Sequence, residues 1–163
     1  MEQYIRKAEL NDIQRLTEIY NWAVENTTAS FDIQTQTVEQ RTLWFSHHND
    51  RHPLIVYELD GYVVGYASLS EYRSKEGYKD TCELSVYIDP RYQRRGIGKR
   101  LMDCIIELGK EKRFHVIMSG ICADNVISIK MHEKLGFELC GNMKEVGFKF
   151  GRYLDCLFYQ LFI

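Results

Sequence analysis

The chain has 163 residues, 45% apolar and 27% charged, with 21 Lys plus Arg against 23 Asp plus Glu. That length suits roughly one domain, expected here to span residues 1–163, and a chain of this size buries about 68–70% of its unfolded surface. An aromatic content of 13% with only two prolines excludes a disordered chain, and a formal charge of -2 argues against a dedicated nucleic-acid binder. No apolar run approaches the roughly 18 residues of a membrane helix, and the first residues carry no signal-peptide stretch. Cys82, Cys104, Cys122, Cys140 and Cys156 form no CxxC motif and have apolar neighbours. Reduced, buried thiols in a cytoplasmic protein are therefore expected.

In chain order, Tyr4–Lys7 reads as a strand. Asn11 and Gln14 have the spacing of a capping box, followed by Ile13, Leu16, Ile19, Tyr20, Ala23 and Val24 at helical spacing. Thr37 and Gln40 repeat the box before a second helix that Pro53 ends. Leu54–Leu59 and Tyr62–Ser70 flank the Asp60-Gly61 turn as a hairpin. Thr81–Ile88 alternates: Cys82, Leu84, Val86 and Ile88 share one face, and Glu83, Ser85 and Tyr87 the other. A helix follows over about 97–113. Then come a buried strand over 115–123, a helix over 125–135 stopped by Gly136, and strands near 137–143 and 153–162. The order predicts a mixed α/β domain around one sheet, with a parallel crossover in its middle.

The stretch from Val86 to Arg100 carries the chemistry. A strand ends at Pro90, and a short loop enters a helix through Gly96 and Gly98. Glycine lets the backbone approach a ligand closely, and the unpaired N–H groups of a helix start favour an anion. Arg91, Arg94, Arg95, Lys99 and Arg100 concentrate positive charge at this turn. It is not a Walker loop, because Arg100 follows Lys99 where Ser or Thr is required. Nor is it a dinucleotide loop, because Leu101 takes the third glycine position.

Gln93-x-x-Gly96-x-Gly98 resembles the pyrophosphate loop of the GNAT superfamily of N-acetyltransferases. Asn125-Val126-Ile127-Ser128 and Leu135-Gly136-Phe137 resemble a second block of that superfamily. Val146–Asp155 and the segment from Ile19 to Phe31 are similar to its phosphinothricin acetyltransferase branch. The resemblance spans nearly the whole chain. It implies a mostly antiparallel sheet whose one parallel strand pair splays apart at the coenzyme, with acetyl-CoA as co-substrate and a homodimer contacting near Phe148–Tyr153. It also implies that Val86, Tyr87, Ile88, Gln93, Arg94, Arg95, Gly96, Ile97, Gly98 and Lys99 line the coenzyme, with Asn125 and Ser128 at the pantetheine arm.

Acetyl transfer to an amine needs a base, a polarised carbonyl and a stabilised leaving thiolate. Direct attack needs no enzyme nucleophile, so no cysteine is required. Glu83 is the expected base, set on the open face of its strand. The alternative is a rim ion pair. His132, seven residues after Asn125 and so about two turns along the helix, is the expected acid near the thiolate. The alternative is a satisfied structural histidine.

Arg73 is expected to clamp an acceptor carboxylate, with Phe31 walling the side-chain pocket; a solvated loop is the alternative for Arg73. The acceptor implied is phosphinothricin, methionine sulfone or methionine sulfoximine. A protein N-terminus, polyamine or antibiotic acceptor, and a non-catalytic coenzyme-binding module, remain open. His47, His48 and His52 lack the acidic partner of a metal site, so no metal is expected.

Overall fold

The computed structural model describes residues 2–163. Seven strands form one sheet in the order β1-β2-β3-β4-β5-β7-β6. They are β1 (Gln3–Lys7), β2 (Leu54–Leu59), β3 (Tyr62–Glu71), β4 (Thr81–Ile88), β5 (Val116–Cys122), β6 (Glu138–Lys149) and β7 (Arg152–Phe162). The helices are α1 (Ile13–Asn26), α2 (Val38–Ser46), α3 (Ile97–Glu111) and α4 (Val126–Lys134). Every neighbouring strand pair is antiparallel except β4–β5, which is parallel. This is the mixed α/β architecture expected from the sequence.

The alternation of β4 sorts the two faces. Cys82 and Leu84 are buried with Leu101, Met102 and Ile105 of α3, and Val86, Ile88 and Met131 of α4 pack on the same cluster. On the other face, Leu16 and Ile19 of α1 bury Val56, Val63 and Tyr66 of the sheet, with Trp44 and Phe45 of α2 against them. Fully burying one such apolar side chain stabilises by about 1.5–3 kcal/mol.

Some local expectations are corrected. The first helix does not start from an Asn11–Gln14 box. Arg6 grips Asp12 with two hydrogen bonds of 2.8 and 2.9 Å, and Glu9 and Asp12 form the box instead, opening a short 3-10 turn over Leu10–Asp12. The Thr37–Gln40 box caps α2 as expected. α3 stops at Glu111 because Arg113 takes a left-handed conformation with φ of 60°. β6 runs to Lys149, well past Met143, because its pairing with β7 resumes at Gly147↔Leu154 after a register shift. The cysteines are all unpaired, but Cys140 is exposed and only Cys82 and Cys122 are buried.

The feature that positions the site is the parting of β4 from β5. They pair at Thr81↔Val116, Cys82↔Ile117 and Glu83↔Met118 and no further. β4 continues to Ile88 along β3 without a register shift, while β5 continues along β7 to Cys122. Asp89 N donates to Val64 O on the β3 side. Strand groups alternate in direction, so the backbones of Val86 and Ile88 face the gap.

Candidate active site

A cavity of about 660 Å³ opens in the gap. Val86, Tyr87 and Ile88 form one wall, Gln93, Arg94 and Gly96–Lys99 the floor, and Asn125, Ser128 and Met131 the other wall. The floor is the start of α3. Gly96 sits at its N-cap with φ of 77°, a left-handed conformation that costs an L residue with a Cβ about 1–2 kcal/mol. Its carbonyl accepts the first helical bond, from Arg100 N, so the N–H groups before Arg100 have no intrahelical acceptor. Gln93 Nε2 reaches Ile88 O at 3.4 Å and ties the loop to the strand.

The basic cluster is smaller than the sequence suggests. Arg91 Nη2 pairs with Asp89 at 2.8 Å, and Arg100 Nη1 donates to Gln3 Oε1 at 3.0 Å and Tyr57 Oη at 2.9 Å, on the β1–β2 side. Arg95 lies over the Tyr92 ring at 5.2 Å and is not among the residues lining the cavity. Arg94 and Lys99 line it, and Lys99 Nζ also meets Asp103 at 2.7 Å.

Asp89 anchors this loop from beneath. It is buried, caps the turn at Pro90–Tyr92 through Arg91 N, and meets both Arg91 and Arg15. Burial alone would raise its carboxyl, but the hydrogen bonds from Arg91 and Arg15 outweigh it and hold the pKa at about 2.

A smaller cavity of about 230 Å³ adjoins the first along Val86, Tyr87, Asn125 and Ser128. Glu83, Phe31, Ser119 and His132 line it. Glu83 therefore stands where β4 and β5 part. It keeps an open path to solvent, yet desolvation by its surroundings raises its pKa above the ordinary carboxylate range.

His132 is 3% exposed. Its Nδ1 lies 2.8 Å from Ser128 O, which can only accept, so Nδ1 carries the proton. Nε2 then accepts from Ser119 Oγ at 3.0 Å. Burial lowers its pKa more than the bond to Ser128 O raises it, so the ring is neutral at pH 7. Asn125 caps α4 by accepting from Ser128 N at 3.2 Å, which uses the carbonyl side of its amide.

Phe31 and Glu83 are brought together, but Arg73 is not. Arg73 is exposed in the β3–β4 loop, 5.1 and 5.6 Å from the Tyr72 and Tyr78 rings, and lines none of the cavities described. The histidine trio is dispersed in role: His48 bonds Trp44 O and Ser70 Oγ, and His52 packs on Phe114. Among the described residues no group of three His, Cys, Asp or Glu side chains could hold a metal. Among them, too, no helix is long and apolar enough to cross a membrane.

Three contributors escaped the sequence reading. Ser119 lines the same small cavity as Glu83. Asp124 accepts from both Thr28 and Arg152, joining the α1 end to β7 beside the larger cavity. Lys149 is 3% exposed and donates to Ser30 O at 2.7 Å, pinning the segment that carries Phe31. Only the period-two parity of Gly147 and Lys149 on β6 pointed inward.

Comparison with known proteins agrees with this geometry. The profile described as Acetyltransferase (GNAT) family matches residues 16–137. An L-methionine sulfoximine/L-methionine sulfone acetyltransferase of Salmonella typhimurium is 39% identical over 158 residues, 96% of this chain and 92% of that protein. A solved ribosomal-protein-alanine N-acetyltransferase of Brucella melitensis is 43% identical, with TM-score 0.95 over 98% of this chain and 99% of that one. A phosphinothricin acetyltransferase of Sinorhizobium meliloti, solved in complex with acetyl-CoA, is 33% identical, with TM-score 0.96 over 100% of this chain and 89% of that one. A strand pair parting over a glycine-rich helix start, matched along nearly the full chain, makes this an acetyl-CoA-dependent member of the acetyltransferase (GNAT) family.

Proposed function

We propose that the protein, as one acetyltransferase domain, transfers the acetyl group of acetyl-CoA to the primary amine of an amino-acid-like acceptor. Methionine sulfone, methionine sulfoximine and phosphinothricin are the leading acceptors, on the strength of the relatives' activities. The observation that carries the reading is the place of Glu83, at the junction of the coenzyme cavity and the smaller cavity, where β4 and β5 separate.

Acetyl-CoA fits the larger cavity: it offers an exposed strand edge at Val86 and Ile88 for the pantetheine amides and free helix-start N–H groups with Arg94 and Lys99 for the phosphates. When bound, it supplies an acetyl thioester. Glu83, with its raised pKa, takes the proton from the acceptor ammonium, directly or through one water. The Val86 backbone N–H polarises the thioester carbonyl. Asn125 and Ser128 hold the pantetheine arm. Neutral His132 acts through its partners, keeping the Ser119 hydroxyl oriented at the cavity wall rather than meeting the thiolate itself. Phe31 walls the acceptor side. The reading also includes a cytoplasmic homodimer joined through the β6–β7 hairpin, where Phe148, Phe150 and Tyr153 are exposed.

A thiol-release assay tests it, run over free amino acids, methionine sulfone, methionine sulfoximine, phosphinothricin and an alanine-starting peptide. Turnover with the sulfone, sulfoximine or phosphinothricin is the expected result. Turnover confined to the peptide overturns the acceptor assignment in favour of the activity named for the Brucella relative. Release with none overturns catalysis.

A further inference from the structure

A third cavity, of about 380 Å³, lies beneath α2 on the sheet face opposite α3. Arg41, Trp44, Tyr66, Ser85 and Tyr87 form its walls. Ser85 and Tyr87 also line the Glu83 cavity, so the two are continuous along one face of β4.

Arg41 is only 3% exposed. Its guanidinium is stacked between aromatic rings, 3.6 Å from the Trp44 centroid and 4.3 Å from that of Tyr20. Nη2 donates to Tyr66 Oη at 3.0 Å, and Nε is buried with no partner. Arg6, Arg15, Arg51, Arg91 and Arg152 each meet a carboxylate, but Arg41 makes no ion pair among the described residues. Asp32, beyond Tyr20, is already engaged by Tyr20 Oη and Gln36 Nε2. Ser68 Oγ is also buried and unpartnered; Ser68 pairs with the cavity residue Ser85 across β3–β4 but does not itself line the cavity.

A buried charge without a counter-ion is costly, and aromatic stacking does not neutralise it. The charge is complete once an oxygen-bearing group enters. A planar guanidinium held flat is well suited to take two oxygens at once.

Glu83 and Ser85 are two residues apart on one face of β4, about 6.6–6.8 Å, and Ser85 lines both cavities, so a small acceptor can lie along the strand between them.

We propose that the cavity beneath α2 takes an oxygen-bearing anionic or dipolar group of the acceptor, with Arg41 as its counter-charge, while the amine points along β4 to Glu83. The group is the acceptor's carboxylate or the oxygens of its sulfone, sulfoximine or phosphinate side chain. This rests on the acceptor class proposed above.

The test compares wild type with Arg41→Gln and Arg41→Lys in the presence of acetyl-CoA. Three amines are used: methionine sulfone, methionine, and 3-(methylsulfonyl)propylamine, which lacks the carboxylate. Calorimetry with CoA in place of acetyl-CoA measures binding independently of turnover. The glutamine variant is expected to raise KM for methionine sulfone at least tenfold with KM for acetyl-CoA unchanged, and the lysine variant to fall between.

Loss of the preference over the decarboxylated amine assigns the carboxylate to Arg41. Loss of the preference over methionine assigns the side-chain oxygens. A folded glutamine variant with unchanged KM and calorimetric Kd overturns the subsite and leaves the proposed function standing. Arg41-dependent binding of methionine sulfone without acetylation does the reverse. Neither binding nor acetylation overturns both. If the glutamine variant does not fold, Arg41→Lys and Ser85→Ala carry the same comparison.

Discussion

Phe31 stands against Gly147: a Cβ built on Gly147 would lie 2.6 Å from Phe31 Cε2. Two residues on, on the same face of β6, Lys149 donates to Ser30 O. The far hairpin thus fixes the segment that walls the small cavity lined by Glu83. Gly147→Ala is expected to push the exposed Phe31 ring aside, a move the far end of a side chain makes at little cost to the fold. Thermal denaturation should show Tm little changed, and steady-state kinetics a raised acceptor KM with acetyl-CoA KM unchanged.

Replacing Glu83 by Gln is expected to lower kcat by roughly 10²–10⁴ while acetyl-CoA still binds. Unchanged turnover would remove Glu83 as the base. The wild-type rate should rise with pH as the Glu83 carboxyl, whose pKa is raised by desolvation, loses its proton. The variant should lose that limb. Stability runs the opposite way. A raised carboxyl favours the fold while protonated, and that contribution is lost as pH rises through the raised value. Glu83→Gln should therefore be no less stable than wild type at pH 7, with any advantage gone in acid. Denaturant titrations at the two pH values check this.

Asp89 holds the loop that leads into α3. Asp89→Asn leaves Arg15 and Arg91 without their carboxylate and is expected to cost about 1–3 kcal/mol. It should also raise acetyl-CoA KM more than it changes acceptor KM. With its pKa held at about 2, the carboxylate's contribution is present above the unfolded value of about 3.9 and lost as pH falls toward about 2. The stability gap between wild type and variant should close over that interval in acid denaturation.

His132 and His48 both have lowered pKa values, chiefly by burial, with His48 at about 4. Their neutral forms support the fold fully above the unfolded value of about 6.5, and that support is lost as pH falls through the folded values. Stability is expected to decline from about pH 6.5 toward about pH 4, and His48→Leu should flatten part of the decline. His132→Phe removes the bonds to Ser119 and Ser128. A tenfold or smaller fall in kcat with an unshifted pH profile is expected of a positioning residue. Loss of a titration limb would instead make His132 the acid.

The legible parts of the molecule were those with local physical causes. The alternation of Thr81–Ile88, the Asp60-Gly61 turn, the Thr37–Gln40 cap and the glycine start of α3 each follow from a few neighbouring residues. The Asn11 cap was misread because Arg6, on a neighbouring strand, claims Asp12. Arg91 and Arg100, part of the basic run in the sequence, are engaged elsewhere. Arg91 meets Asp89 only two residues before it, whereas Gln3 and Tyr57, the partners of Arg100, come from strands far away in the chain.

The sequence by itself determined the fold class, the glycine-rich start of α3 and the strand face that carries Glu83, because strand parity and glycine placement are encoded residue by residue. Only the tertiary structure decided what Glu83 faces, where β4 leaves β5, and which arginine is buried without a counter-ion. Those depend on contacts between segments far apart in the chain: α2 over β3 for Arg41, and β6 under Phe31. Burial and charge pairing are properties of the assembled neighbourhood, and a one-dimensional spacing rule has no access to them.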